Sequence, residues 1–283
     1  MQLSTRLVAV LGLAAFAFGD TTPPAPPDAR NDLRNQIRVI ARADDMGAAQ
    51  AINEGCIEAY KNGIVRSIEV MATGPWFLDA VRLLKENPGV DVGVHLTLTS
   101  EWDRMKWRPL TAAPSLVDAD GYFFPTTKAF TGNSPKPDEV ERELRAQIET
   151  ARRHLGDRVS HVSAHTGAAT ATPELKALTE KLAKEYKLRL GDSVKSAGTF
   201  GNPDLTSDQR ERALIALLEK LQPGDHLIVG HPAYDTSETL RLGHAGYDNV
   251  AGDRSNVRRA FTSGRAKKVI DSRGIELIGY DEL

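Results

Sequence analysis

From Asn35 to the C-terminus, short apolar runs alternate with amphipathic segments, and this rhythm restricts the fold more than any single residue does. Strand-like runs occupy 37–43, 67–72, 90–98, 159–164, 188–191, 227–230 and 276–279. Helical patterns fall between them at 49–62, 76–87, 137–154, 173–186, 207–221 and 255–273. Pro88-Gly89 and Pro223-Gly224 mark helix-to-strand turns, because neither residue type continues a helix. Thr172-Pro173 and Ser207 carry the chemistry of helix starts. About seven strands alternating with helices predict one α/β domain over 35–283, built on a parallel sheet. Right-handed crossovers permit a closed barrel or an open doubly wound sheet. Polar residues recur at many strand ends rather than at one switch point, which favours a distorted (β/α) barrel. Only 99–135 breaks the rhythm; its Trp102, Trp107, Tyr122, Phe123 and Phe124 lie among prolines and glycines. A loop of that length is either a substrate lid or a packed surface insertion.

Composition removes several function classes. The chain has 283 residues, 41% hydrophobic and 26% charged, with a formal net charge of -2. That balance gives no electrostatic footprint for nucleic acid or for an anionic membrane surface. There is no Gly-x-Gly-x-x-Gly after the first strand and no Walker-type loop, so nucleotide binding has no support. Nothing in the pattern fixes the assembly state, and a homo-oligomer stays open.

The N-terminus differs from the rest. Met1 to Arg6 is basic, and residues 7–19 form an uninterrupted apolar run. The run is shorter than the roughly 20 residues a membrane-spanning helix needs. With small residues at Ala17 and Gly19, it predicts a signal peptide over 1–19 rather than a membrane anchor. Residues 20–34 follow as a proline-stiffened linker. Export to the periplasm or medium, with no stable membrane insertion after cleavage, is the expectation. Cys56 is the single cysteine, so no intrachain disulfide forms, and its helical context predicts a buried, inert thiol.

Chemistry concentrates at strand ends. Asp44 and Asp45 close the first strand, ahead of Met46-Gly47. His95 ends the third strand, His161 and His165 lie along and just past the fourth, and His231 ends a late one. His161 and His165 share a face in extended geometry. One carboxylate with two neutral imidazoles suits a divalent transition metal such as Zn²⁺, with positions left for water and substrate. The second carboxylate is then free to take a proton from water, and a histidine opposite to protonate a leaving group. His161 reads as an orienter of another group or as a satisfied interior histidine. His154, at a helix C-terminus, reads as a dipole partner.

The segments Ala43-Asp-Asp-Met-Gly47, Asn53-Glu-Gly55, Gly63-Ile-Val-Arg-Ser67, Gly93-Val-His-Leu-Thr97, His161-Val-Ser-Ala-His165 and Gly230-His-Pro232 together resemble the YdjC-like carbohydrate deacetylases. The resemblance runs from about Arg38 to the C-terminus, where 274–280 also fits. It implies a distorted (β/α) barrel and a hydrolase that uses Zn²⁺ or Mg²⁺ to remove acetyl groups from an N-acetylated sugar. Carried over, Asp45, His95 and His165 become metal ligands, Asp44 the general base, and His231 a general acid or substrate contact. The chain departs from the family's His-x-Asp-Ser-His-x-His pattern at Ser163, Ala164 and Gly167, and has Thr73-Gly-Pro75 for Asn-Gly-Pro. Two other readings compete. One is a secreted carbohydrate-binding barrel without catalysis; the other is a different metallohydrolase, for which the usual His-x-His on the first strand is missing.

Overall fold

The computed structural model describes residues 35–283; the proposed signal peptide and linker lie outside them. Eight parallel strands form one curled sheet: β1 (Ile37–Met46), β2 (Ser67–Val70), β3 (Asp91–Leu96), β4 (Val159–Ala164), β5 (Arg189–Leu190), β6 (Lys195–Ser196), β7 (Gly224–Gly230) and β8 (Glu276–Leu277). The order is β5-β4-β3-β2-β1-β7-β6, with β8 paired to the start of β1. No pairing joins β5 to β6 among the described residues, so the expected barrel is a distorted one, open at that seam.

Helices α1 (Gln50–Lys61), α2 (Phe77–Glu86), α4 (Pro137–Leu155), α5 (Pro173–Glu185), α6 (Ser207–Lys220), α7 (Val250–Phe261) and α8 (Gly264–Ser272) return the chain between strands, and a short α3 (Thr127–Gly132) lies in the insertion. The single helix expected over 255–273 is two. Ser263 accepts hydrogen bonds from the amides of Arg265 and Ala266 and so caps a fresh start. Strand β5 falls within the expected run 188–191, whereas the two-residue β6 is too short to show a period.

Period-2 alternation explains where the core sits. Val39, Ala41 and Ala43 of β1 face the helices, in one large apolar cluster with Ile68, Val92, Val94 and Val162. Ile40 faces the barrel interior and packs with Leu227, Ile278, Tyr280 and Val194 in a smaller cluster. Above this plug, the same inward columns turn polar, with Arg42, Glu69 and His161 all buried. The insertion is packed rather than free, with Trp102, Trp107 and Phe123 buried. Buried side chains of α4 fasten it: Glu143 accepts from the amides of Leu110 and Thr111 at 3.0 and 2.9 Å, and Gln147 pairs both ways with the Thr97 backbone at 2.8 Å.

Candidate metal centre

An undistorted strand sends adjacent residues to opposite faces, so Asp44 and Asp45 would not share a site. Here β1 carries a bulge. Ala43 pairs with Ile68 and Met46 with Val70, leaving one extra residue in β1. Asp45 absorbs it in the left-handed region at φ 70°, and both carboxylates face one cleft. Gly47 completes the turn at φ 105°, where a Cβ would meet Met71 O at 2.8 Å, so glycine is required there. Its amide donates to Asn53 Oδ1 at 2.6 Å, which ties the turn to α1. Gly55 of the same Asn53-Glu-Gly motif lets α1 approach the segment after His231, since a Cβ there would sit 2.5 Å from Ala233 Cα.

The cleft holds about 470 Å³ and is lined by Asp44, Asp45, His95, His165 and His231, with Glu101, Trp102, Tyr247 and Arg254 contributing walls. Asp45 Oδ1 lies 3.4 Å from His95 Nε2 and 3.2 Å from His165 Nδ1. That oxygen is buried and has no hydrogen-bond partner. Its other oxygen accepts from Arg254 at 2.7 Å. Asp44 is gripped at both oxygens by the Arg42 fork, at 2.8 and 3.0 Å, and its Oδ2 lies 3.9 Å from His95 Nε2. His231 lines the cleft wall.

Each imidazole has a carboxylate on its far nitrogen. His165 Nε2 is 2.9 Å from Glu101 Oε2, and His95 Nδ1 is 2.6 Å from Glu69 Oε2. Burial opposes charge on His95, but Asp44, Asp45 and Glu69 outweigh it and raise its pKa to about 9. Burial likewise opposes Glu101 and Asp45 at His165, which is raised to about 10. Burial would raise the Asp45 carboxyl, yet Arg254 and the histidines hold it well below the usual range. His231 is lowered, by burial first and by Arg254 as well. Burial pushes the Cys56 thiol far up, consistent with an inert side chain.

These donors fit a divalent cation. Asp45, His95 and His165 can each turn one ligand atom to a common point, the three atoms lying within 4.8 Å of one another. The buried Asp45 oxygen that Arg254 leaves free faces both rings and completes no hydrogen bond of its own. A second grouping, Asp44, Glu69 and His95, is equally compact, but Arg42 already occupies Asp44 and Glu69. One carboxylate with two imidazoles is a donor set for Zn²⁺ or a similar ion.

Asp44, Asp45, His95, His165 and His231 therefore meet in one cleft. His161 does not reach it; its ring is fully buried, stacked on Tyr280 at 3.8 Å between ring centres, with Nε2 3.0 Å from Glu69 Oε1. Arg42, Glu69, Glu101 and Arg254 are not among the candidates that the sequence marks. Glu69 did leave a signal, a charge inside the apolar run 67–72. Arg254 left none, because it sits on an ordinary amphipathic helix.

The family model for YdjC-like proteins matches residues 38–272. A carbohydrate deacetylase of Listeria monocytogenes serotype 4a (strain HCC23) is 31% identical over 260 residues, covering 87% of this chain and all of that one. A carbohydrate deacetylase of Enterococcus faecalis (strain ATCC 700802 / V583) is 30% identical over 265 residues, covering 87% of this chain and 98% of the relative. Among solved structures, a proposed cellobiose-phosphate cleavage protein of Enterococcus faecalis superposes with a TM-score of 0.73 at 26% identity, over 87% of this chain and 98% of that one.

Proposed function

Since the chain belongs to the YdjC-like family, we propose that it is a metal-dependent carbohydrate deacetylase, hydrolysing the acetamide of an N-acetylated sugar to acetate and a free amine. The observation that carries the reading is the buried Asp45 oxygen facing His95 and His165 without a partner. Asp45, His95 and His165 hold the ion, Zn²⁺ or Mg²⁺. A divalent cation there supplies a Lewis acid that acidifies water and polarises an amide carbonyl. Asp44, the carboxylate not used for binding, takes the proton from the attacking water. The Arg42 fork fixes its orientation, and Arg254 does the same for Asp45. His231, whose pKa burial and Arg254 lower, takes up the proton that Asp44 has collected and passes it to the departing nitrogen. Trp102, carried by the packed insertion, closes one wall against bulk water. The apolar run at 7–19 supports export, which would place the substrate among extracellular or envelope glycans.

The test is a screen of N-acetylated mono- and oligosaccharides with metal-reconstituted protein, measuring acetate and free amine together. Equimolar release of both from at least one sugar is the expected outcome. A folded, metal-loaded protein that releases neither from any of them is a carbohydrate-binding protein at most, and the catalytic assignment falls.

A further inference from the structure

Glu69 sits in the middle of β2 between Ile68 and Val70, with no exposed surface. A carboxylate in such a place costs several kcal/mol of desolvation, so it persists only where its neighbours hold it. Arg42 lies 3.1 Å from Oε1 and His161 Nε2 3.0 Å from the same oxygen. The Arg42 guanidinium opposes the charge from this side, although Oε1 completes no hydrogen bond with either group. The other oxygen points up the barrel, to His95 Nδ1 at 2.6 Å. Ser163, on β4 directly beside His95 in register, donates its hydroxyl to that same Oε2 and lies 2.6 Å from the same Nδ1. With its proton given to Glu69, the serine oxygen offers only lone pairs to the ring. His95 Nδ1 therefore faces acceptors alone, and its proton is fixed there. The opposite nitrogen, Nε2, faces Asp45 and is the one that can give up its proton to become a donor.

We propose that Glu69 is a positioning residue for the metal centre, holding His95 as the Nδ1–H tautomer and setting its ring so that Nε2 is the donor. The inference rests on the metal reading of Asp45, His95 and His165, and goes beyond it by assigning a residue that touches neither cation nor substrate. Hydrogen-bonded carboxylates behind a ligating imidazole fix its tautomer and raise its basicity. The alternative is that Glu69 serves only as counter-ion to the buried Arg42.

Zn²⁺ titration of chelator-stripped protein separates the two, with thermal melting followed in parallel. Glu69→Gln keeps the shape and an acceptor but removes the charge; it should weaken Zn²⁺ binding roughly 10- to 100-fold. Glu69→Gln/Ser163→Asp returns a carboxylate to the same Nδ1 from β4, away from Arg42, and should recover most of that loss. His95→Ala serves as the reference for loss of a ligand. Zn²⁺ affinity of Glu69→Gln within twofold of wild type, with His95→Ala deficient, overturns the inference and leaves the metal reading intact. Equal weakness of a folded single and double variant also overturns it. If the single variant fails to fold, Zn²⁺ binding by a folded double variant supports the inference, and failure of both makes Glu69 purely structural. Wild-type protein that takes up no Zn²⁺ overturns the metal reading and the inference with it.

Discussion

Asp44 and Asp45 are chemically identical neighbours that the fold separates into different tasks. Asp44 is held by Arg42 through both oxygens, whereas Asp45 gives one oxygen to Arg254 and turns the other to two imidazoles. That asymmetry is the basis for giving one the proton and the other the ion. Asp44→Asn should therefore retain stoichiometric metal while turnover falls more than tenfold, as read by metal analysis beside acetate release. Unchanged turnover in that variant removes Asp44 as base. Arg254 gives a second prediction at this scale. Its guanidinium is buried against Trp102, 5.2 Å from the ring centre, and balances Asp45. Arg254→Met strands the Asp45 charge and should destabilise the metal-free protein by about 3–5 kcal/mol. Zn²⁺ supplies the missing positive charge, so it should raise the melting temperature of the variant more than that of wild type. The paired aspartates and the histidines were legible in the sequence because strand ends announce themselves by pattern. Their partners were not: Arg42 reads as part of a strand, and Arg254 and Glu101 are ordinary charges until the chain folds.

The elements explain why those residues converge. Parallel strands deliver β1, β3, β4 and β7 ends to one rim, where α/β folds place their chemistry. The alternation of apolar runs and amphipathic segments carried that much. It did not carry the bulge at Ala43–Met46, since nothing in Ala43-Asp-Asp-Met shows which residue becomes left-handed. Nor did it decide between lid and packed insertion for 99–135. The deciding groups are buried polar side chains on α4, a helix face that looks solvated by composition. Glu143→Ala leaves the Leu110 and Thr111 amides without their acceptor. The expected cost is about 1–3 kcal/mol. Limited proteolysis should then cut inside 99–135 before any other described region. Cutting at the wild-type rate would show that the insertion holds without α4.

For the molecule as a whole, the site stores charge that couples folding to pH and to metal. In the metal-free protein His95 is raised to about 9 and His165 to about 10, from an ordinary value of 6.5. Groups raised on folding stabilise fully below their unfolded value and lose that contribution as pH climbs through the folded one. The melting temperature of stripped protein should accordingly fall between pH 7 and 10. Binding of a cation needs both rings neutral, so the Zn²⁺-induced rise in melting temperature should grow over the same window. A flat profile in both conditions would contradict this coupling. The barrel's open seam was beyond the sequence, and of its polar interior layer only His161 and Glu69 left a trace, since Arg42 looks like any strand residue. The most direct measurement is acetate release from an N-acetylated sugar as Zn²⁺ is added back to chelator-stripped protein. Turnover should be absent without the ion, rise to saturation at one equivalent, and show no such rise in His165→Ala. Full turnover by the stripped protein, or an undiminished rise in His165→Ala, would contradict a metal-dependent hydrolysis at this site.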